Sequence, residues 1–168
     1  MSTVAIEFRP ARESDVPAIT AVHDEAWRLA YRGMIPGREL ERMVSRRGPA
    51  WWAGAIRRGS GLMVMRVAGI TAGYASFGRN RAQMLGVGGE IYELYVKPEF
   101  QGTGCGGRLF AAARQELQAR GLRGTAVWAL ADNASACDFY RHVGGRPAAR
   151  GTERFGDTLL DKIAFVWD

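Results

Sequence analysis

The chain has 168 residues, 47% hydrophobic and 24% charged, the balance of a globular protein and the length of one domain, residues 1–168. Its net charge of +6 rests on 23 basic residues, of which only Lys97 and Lys162 are lysines; they form no run interleaved with aromatics, so nucleic acid is not an expected partner, while the positive field suits an anionic ligand. No apolar stretch is long enough to span a bilayer, the opening Met1–Glu7 lacks a signal-peptide pattern, and Cys105 and Cys137 make neither a disulfide framework nor metal-ligand spacing, so a cytoplasmic protein without membrane partner or metal is expected.

Val4 to Arg9 alternates and reads as a strand. Ser14-Asp15 can cap a helix whose apolar positions Val16, Ile19, Val22, Ala26 and Leu29 recur at helical spacing. Gly33 and Pro36 end it, and Pro36 starts a second helix through Leu40 and Met43; a short third lies around Trp51 to Ile56. Leu62 to Ala68 and Ile70 to Phe77 flank Gly69 as an antiparallel hairpin, and Arg79 to Gly89 reads as a loop. A strand over 90–97, a helix from Gly104 to Arg120, a strand Thr125 to Leu130 and a helix Ala134 to Val143 follow. Two strands near Arg146–Thr152 and Leu159–Val166 close the chain. This order implies an α/β protein with a mixed sheet and helices on its faces.

The densest signal runs from Val96 to Phe110, where a strand stops at Pro98 and a glycine-rich turn opens a helix. Glycine admits positive φ and close approach of backbone N–H groups, and a helix start favours anions, so the segment reads as a cradle for a diphosphate. Gly102-Thr103-Gly104-Cys105-Gly106-Gly107 satisfies the dinucleotide pattern G-x-G-x-x-G, with Asp132 after the next strand. Against that reading, Lys97 to Gln101 separate the glycines from their strand, and too little chain follows Asp132 for the remaining strand–helix units. No Lys-Ser/Thr pair follows the glycines, which excludes a Walker loop.

Gln101-Gly-Thr-Gly-Cys-Gly106 fits the pyrophosphate motif Gln/Arg-x-x-Gly-x-Gly/Ala, and Asn133-Ala-Ser-Ala-Cys-Asp-Phe-Tyr-Arg-His-Val-Gly144 fits Asn-x-x-Ala-x-x-Phe-Tyr-x-x-x-Gly. With both motifs in order, the chain resembles the GNAT superfamily of acetyl-CoA-dependent N-acetyltransferases over essentially its whole length. Phe8 to Asp15 and Ala26 to Pro36 also resemble one branch of it. Gly145 departs from the pattern, because the family usually carries an aromatic there. The resemblance implies a GNAT-like fold: a mostly antiparallel sheet of about seven strands, one parallel splayed pair, and about four helices. It implies transfer of the acetyl group of acetyl-CoA, without a metal, to a primary amine of a small molecule or peptide, by direct attack in a ternary complex. A homodimer fits the habits of the family. A CoA-binding sensor or scaffold without turnover is the alternative.

The resemblance also assigns residues. Backbone groups of Leu94, Tyr95 and Val96 would pair with the pantetheine arm as an added strand does. Gln101, Gly102, Thr103, Gly104, Cys105, Gly106 and Gly107 would hold the pyrophosphate. Asn133 would reach the pantetheine, cap the helix at Ala134, or do both. Tyr140 would donate a proton to the departing thiolate, the alternative being core packing beside Phe139. Glu93, slightly favoured, and Glu90 are the candidates for taking the amine proton, directly or through water, the alternative for each being a solvated or salt-bridged edge residue; regular alternation would send them to opposite faces of their strand. Cys105 reads as a packing residue. Trp27 and Tyr31, with Trp51 and Trp52, are candidates for the acceptor wall or the core.

Overall fold

The computed structural model describes residues 4–168; Met1 to Thr3, the start of the segment read for an export signal, lie outside the described residues. Among these residues seven strands form one sheet: β1 (Ile6–Pro10), β2 (Gly61–Val67), β3 (Ile70–Arg79), β4 (Gly89–Val96), β5 (Thr125–Leu130), β6 (Arg146–Phe155) and β7 (Thr158–Trp167). Among the described residues five α-helices flank it: α1 (Val16–Tyr31), α2 (Gly37–Arg46), α3 (Pro49–Arg57), α4 (Cys105–Ala119) and α5 (Ala134–His142). The strand order is β1-β2-β3-β4-β5-β7-β6, antiparallel except for β4 beside β5.

That parallel pair is short. Only Gly89 with Thr125 and Glu90 with Ala126 are in register before the strands part. The cause lies on the other edge of β4. Its pairing with β3 jumps from Ser76–Glu93 to Phe77–Ile91, leaving Tyr92 as an extra residue. Such a bulge bends its strand and sharpens the local twist, so the end of β4 swings away from β5. The bulge also resets which way side chains point. Ile91 and Leu94 pack into the core beneath α4, while Tyr95 joins the clusters under α1 and α2. Glu90 opposite Gly78 and Glu93 opposite Ser76 therefore share the face of Tyr74 and Tyr95. Regular alternation would have separated the two glutamates; one inserted residue reunites them.

Both faces of the sheet are covered. Leu109, Phe110, Ala113 and Leu117 of α4, with Cys137 and Tyr140 of α5, pack on one. Val16, Ile19 and Val22 of α1 and Trp52 of α3 pack on Leu62, Val64 and Tyr74 on the other. The α1 start falls where Ser14-Asp15 predicts it, but the Asp15 carboxylate does not cap it. It accepts from the Arg12 N–H at 2.7 Å and pairs with Arg9 at 2.7 and 2.9 Å, pinning the preceding turn to β1. Strands β6 and β7 run further than the hydrophobic pattern suggested, since Gly156 (φ 61°) and Asp157 alone turn the hairpin.

Gly145, the departure from the resembled motif, has a compensation. A Cβ there would lie 2.5 Å from Trp167 Cζ2 and 2.9 Å from the Tyr140 carbonyl. The indole fills the missing ring's side of the contact, held by its Nε1–H donating to Val143 O at 3.0 Å. Gly145→Ala should therefore cost about 1–3 kcal/mol through overpacking. Gly37→Ala, whose Cβ would meet nothing within 4 Å, should cost none. Equal urea midpoints for the two variants would refute this packing account.

Candidate functional site

The glycine turn sits at the end of β4 and feeds α4. Gly102 (φ 74°) and Gly104 (φ 83°) are left-handed, and an added Cβ at either would meet nothing within 4 Å. Within α4 the first N–H to reach back is that of Arg108, to Gly104 O at 3.2 Å. The amides of Cys105, Gly106 and Gly107 thus precede any intrahelical acceptor, at the positive end of the helix dipole. Gln101 ties the turn to β4, its Nε2 donating to Val96 O at 3.0 Å. Thr103 Oγ1 donates to Phe100 O. Cys105 is buried in the main core, as a packing residue would be. An open ledge with several unspent amides fits a diphosphate.

The gap between β4 and β5 offers strand edges. Lys97 N–H donates to Ala72 O of β3 at 2.8 Å, and strand periodicity turns the Tyr95 amide the same way. Leu94 and Val96 then direct theirs toward β5, where the strands have parted. The Tyr95 amide thus faces β3, and its side chain packs toward α1 and α2. Asn133 caps α5, its Oδ1 accepting from Ala136 N–H at 3.2 Å. Tyr140, 7% exposed, stands among Phe110, Phe139, Phe165 and Trp167. Burial raises its pKa from the usual phenol value, so it stays a neutral donor.

On the other face of the sheet a cleft of about 250 Å³ opens where the strands diverge. Tyr92, Glu93 and Tyr95 of β4 and Trp128, Ala129 and Leu130 of β5 form its floor; Trp27, Tyr31 and Arg47 stand on one side, Phe155 and Lys162 on the other. A larger hollow of about 520 Å³ lies at the α1–α2 turn, but its walls include no residue of β4 or β5. The smaller cleft is the one that meets the gap.

Glu93 lies in this cleft between two donors. The Tyr74 hydroxyl donates to Oε2 at 2.8 Å, and the Arg47 guanidinium pairs with Oε1. Arg47, just past the end of α2, stacks over Trp51 at 4.4 Å, with Trp27 at 5.5 Å and Trp52 at 5.8 Å. Trp52 Nε1–H fixes its backbone by donating to Arg47 O at 3.0 Å. Burial lowers the Arg47 pKa and raises those of Tyr31, Tyr74 and Tyr95. The Tyr31 and Tyr95 hydroxyls share a bond of 2.9 Å. Glu90 has another task. It is 1% exposed, and its carboxylate accepts from the Arg81 amide at 3.0 Å and from Arg81 Nη2 at 2.8 Å. It anchors the loop after β3.

Trp27 and Tyr31 do line the cleft, Trp52 is core at 1% exposed, and Trp51, 39% exposed, lies outside the lining. Arg47 and Tyr74 have no motif to announce them. An arginine four and five residues before two tryptophans was the available hint for the first; the second becomes visible only once Tyr74 is seen paired with Tyr95.

Comparison with known proteins agrees with this geometry. A family model described as Acetyltransferase (GNAT) family matches residues 19–144. The uncharacterized N-acetyltransferase YuaI of Bacillus subtilis is 26% identical over 162 residues, covering 96% of this chain and 92% of that protein. Among solved structures, the PaiA N-acetyltransferase of Thermoplasma acidophilum in complex with coenzyme A superposes with a TM-score of 0.73 at 16% identity, covering 94% of this chain and 98% of that one. YncA of Salmonella typhimurium, solved with acetyl-CoA, gives 0.68 at 23% identity, covering 97% and 93%.

Proposed function

The chain belongs to the GNAT acetyltransferase family, and on that premise we propose that it moves the acetyl group of acetyl-CoA to the primary amine of a small molecule or peptide by direct attack. The observation that carries this reading is the juncture itself. One gap between β4 and β5 is bordered by the open amides after Gly104 and by the cleft that holds Glu93. When bound there, acetyl-CoA would supply the activated acyl carbon and the thiolate leaving group.

The amides from Gly102 to Gly107 would hold the pyrophosphate, and the strand edge at Leu94 and Val96 would align the pantetheine arm. Glu93 would take the proton of the acceptor ammonium, so that a neutral amine attacks. Tyr140 would donate to the departing sulfur. Glu90, held by Arg81, would keep the loop in place and stand outside the proton transfer.

A thiol-release assay with acetyl-CoA across an amine panel tests the activity. Release above the amine-free rate supports it; acetyl-CoA binding without turnover on any amine favours the sensor or scaffold alternative. The rate should rise from about pH 6 to about pH 9 as the amine loses its proton. Glu93→Gln should depress it mainly at neutral pH and recover partly at high pH, where the acceptor supplies its own free amine. Glu90→Gln is the control, and a larger neutral-pH defect there would reverse the two roles.

A further inference from the structure

The cleft contains three cations, each already committed. Arg81 is bound to the buried Glu90, and Lys162 bonds Glu153 at 2.8 Å while lying 4.6 Å over the Trp128 ring. Arg47 alone is paired with the carboxylate proposed to receive the acceptor's proton. Its side chain is only 26% exposed, and the tryptophans around it offer π faces but no second anion. Once Glu93 turns to the acceptor's ammonium and is neutralised, Arg47 becomes a half-buried charge without a partner, a costly state. An acceptor that brings its own carboxylate removes that cost.

Resting on the acetyltransferase reading, we infer that the acceptor is a free α-amino acid, its ammonium on Glu93 and its carboxylate on Arg47. The ion pair is a template for a zwitterion. It sets a carboxylate beside a guanidinium in one cleft, the complement of an ammonium and a carboxylate carried on neighbouring atoms. The arginine fork is suited to bidentate capture of a carboxylate, and the stacking on Trp51 fixes it before the acceptor arrives. The remaining walls, Tyr31, Trp128 and Phe155, suit an apolar or aromatic side chain, in a cleft the size of a small molecule.

The test measures Kd by calorimetry on the CoA-loaded protein, and kcat/KM with acetyl-CoA, for phenylalanine, methionine and leucine. Each is compared with its amide and its decarboxylated amine, and with a dipeptide that moves the carboxylate away. At least one free amino acid should bind roughly 10- to 100-fold more tightly than its amide, the range of a charge-assisted hydrogen bond. Arg47→Gln should bring that ratio close to one with acetyl-CoA affinity retained, and Arg47→Lys should fall between. Amides or dipeptides binding as well as the free acids, or a preference that survives Arg47→Gln, overturns the assignment. The Kd series needs no turnover, so an inactive protein would count against the transferase reading while the carboxylate preference is still decided. The comparison of free acids, amides and amines on the wild-type protein likewise holds if the Arg47 variants fold poorly.

Discussion

Gly104→Val is expected to abolish the thermal shift and calorimetric binding that acetyl-CoA gives with the wild-type protein, for which NADH should give none. The residue sits at φ 83° immediately before α4. A β-branched side chain is strained in that region by about 1–3 kcal/mol. The protein itself offers no clash, since nothing lies within 4 Å of the added Cβ. The loop can therefore either bear the strain or relax toward negative φ, and relaxation turns the amides that form the cradle. Each lost amide–phosphate bond is worth about 1.5–3 kcal/mol, so losing two lowers affinity by ~10² or more. Gly33→Val separates folding from binding. Gly33 has φ 84° and the same open surroundings, but lies at the turn after α1. Both variants should lose similar stability, and only Gly104→Val should lose acetyl-CoA. If Gly33→Val weakens binding as much, the glycine turn is not the diphosphate site.

The parts of this molecule that were legible from residues alone are those with local causes. The turn-to-α4 junction is written in glycines and Pro98, and α5 in the Asn133 cap and its periodic face. The splay between β4 and β5 followed from the resemblance and not from any period, because it is produced by a register shift. Nothing in Ile91-Tyr92-Glu93 marks Tyr92 as the extra residue; only the pairing with β3 does. The same shift defeated the alternation argument for Glu90 and Glu93. Arg47 escaped notice for a related reason. Its partner lies on a strand far along the chain, and its cage is built from two helices. Long-range pairs of this kind define the proposed acceptor cleft, whereas the proposed cofactor side is mostly one contiguous segment. That contrast explains why the cofactor was readable and the acceptor was not.

Tyr140→Phe should lower kcat about 10²-fold with little change in acetyl-CoA Kd, as expected for loss of a general acid. Packing cannot easily account for such a drop. Phenylalanine keeps the ring among Phe110, Phe139, Phe165 and Trp167, whose centroids lie 5.3 to 6.3 Å away. The Tyr140 hydroxyl takes no part in the Tyr31–Tyr95 or Tyr74–Glu93 bonds, so those contacts should survive and the melting temperature should hold. The direction of its pKa adds a second criterion. Burial raises it above the ordinary phenol value, so the proton is present throughout the range below that value and is lost only above it. From about pH 6 to about pH 9 the wild-type to Tyr140→Phe ratio of kcat should therefore stay flat. Glu93→Gln should behave oppositely, its defect shrinking as the acceptor deprotonates itself. A Tyr140→Phe defect that fades at high pH would place the phenol in removal of the amine proton, not in thiolate departure. An unchanged kcat would leave Tyr140 as a core residue, and protonation of the leaving sulfur would then fall to solvent.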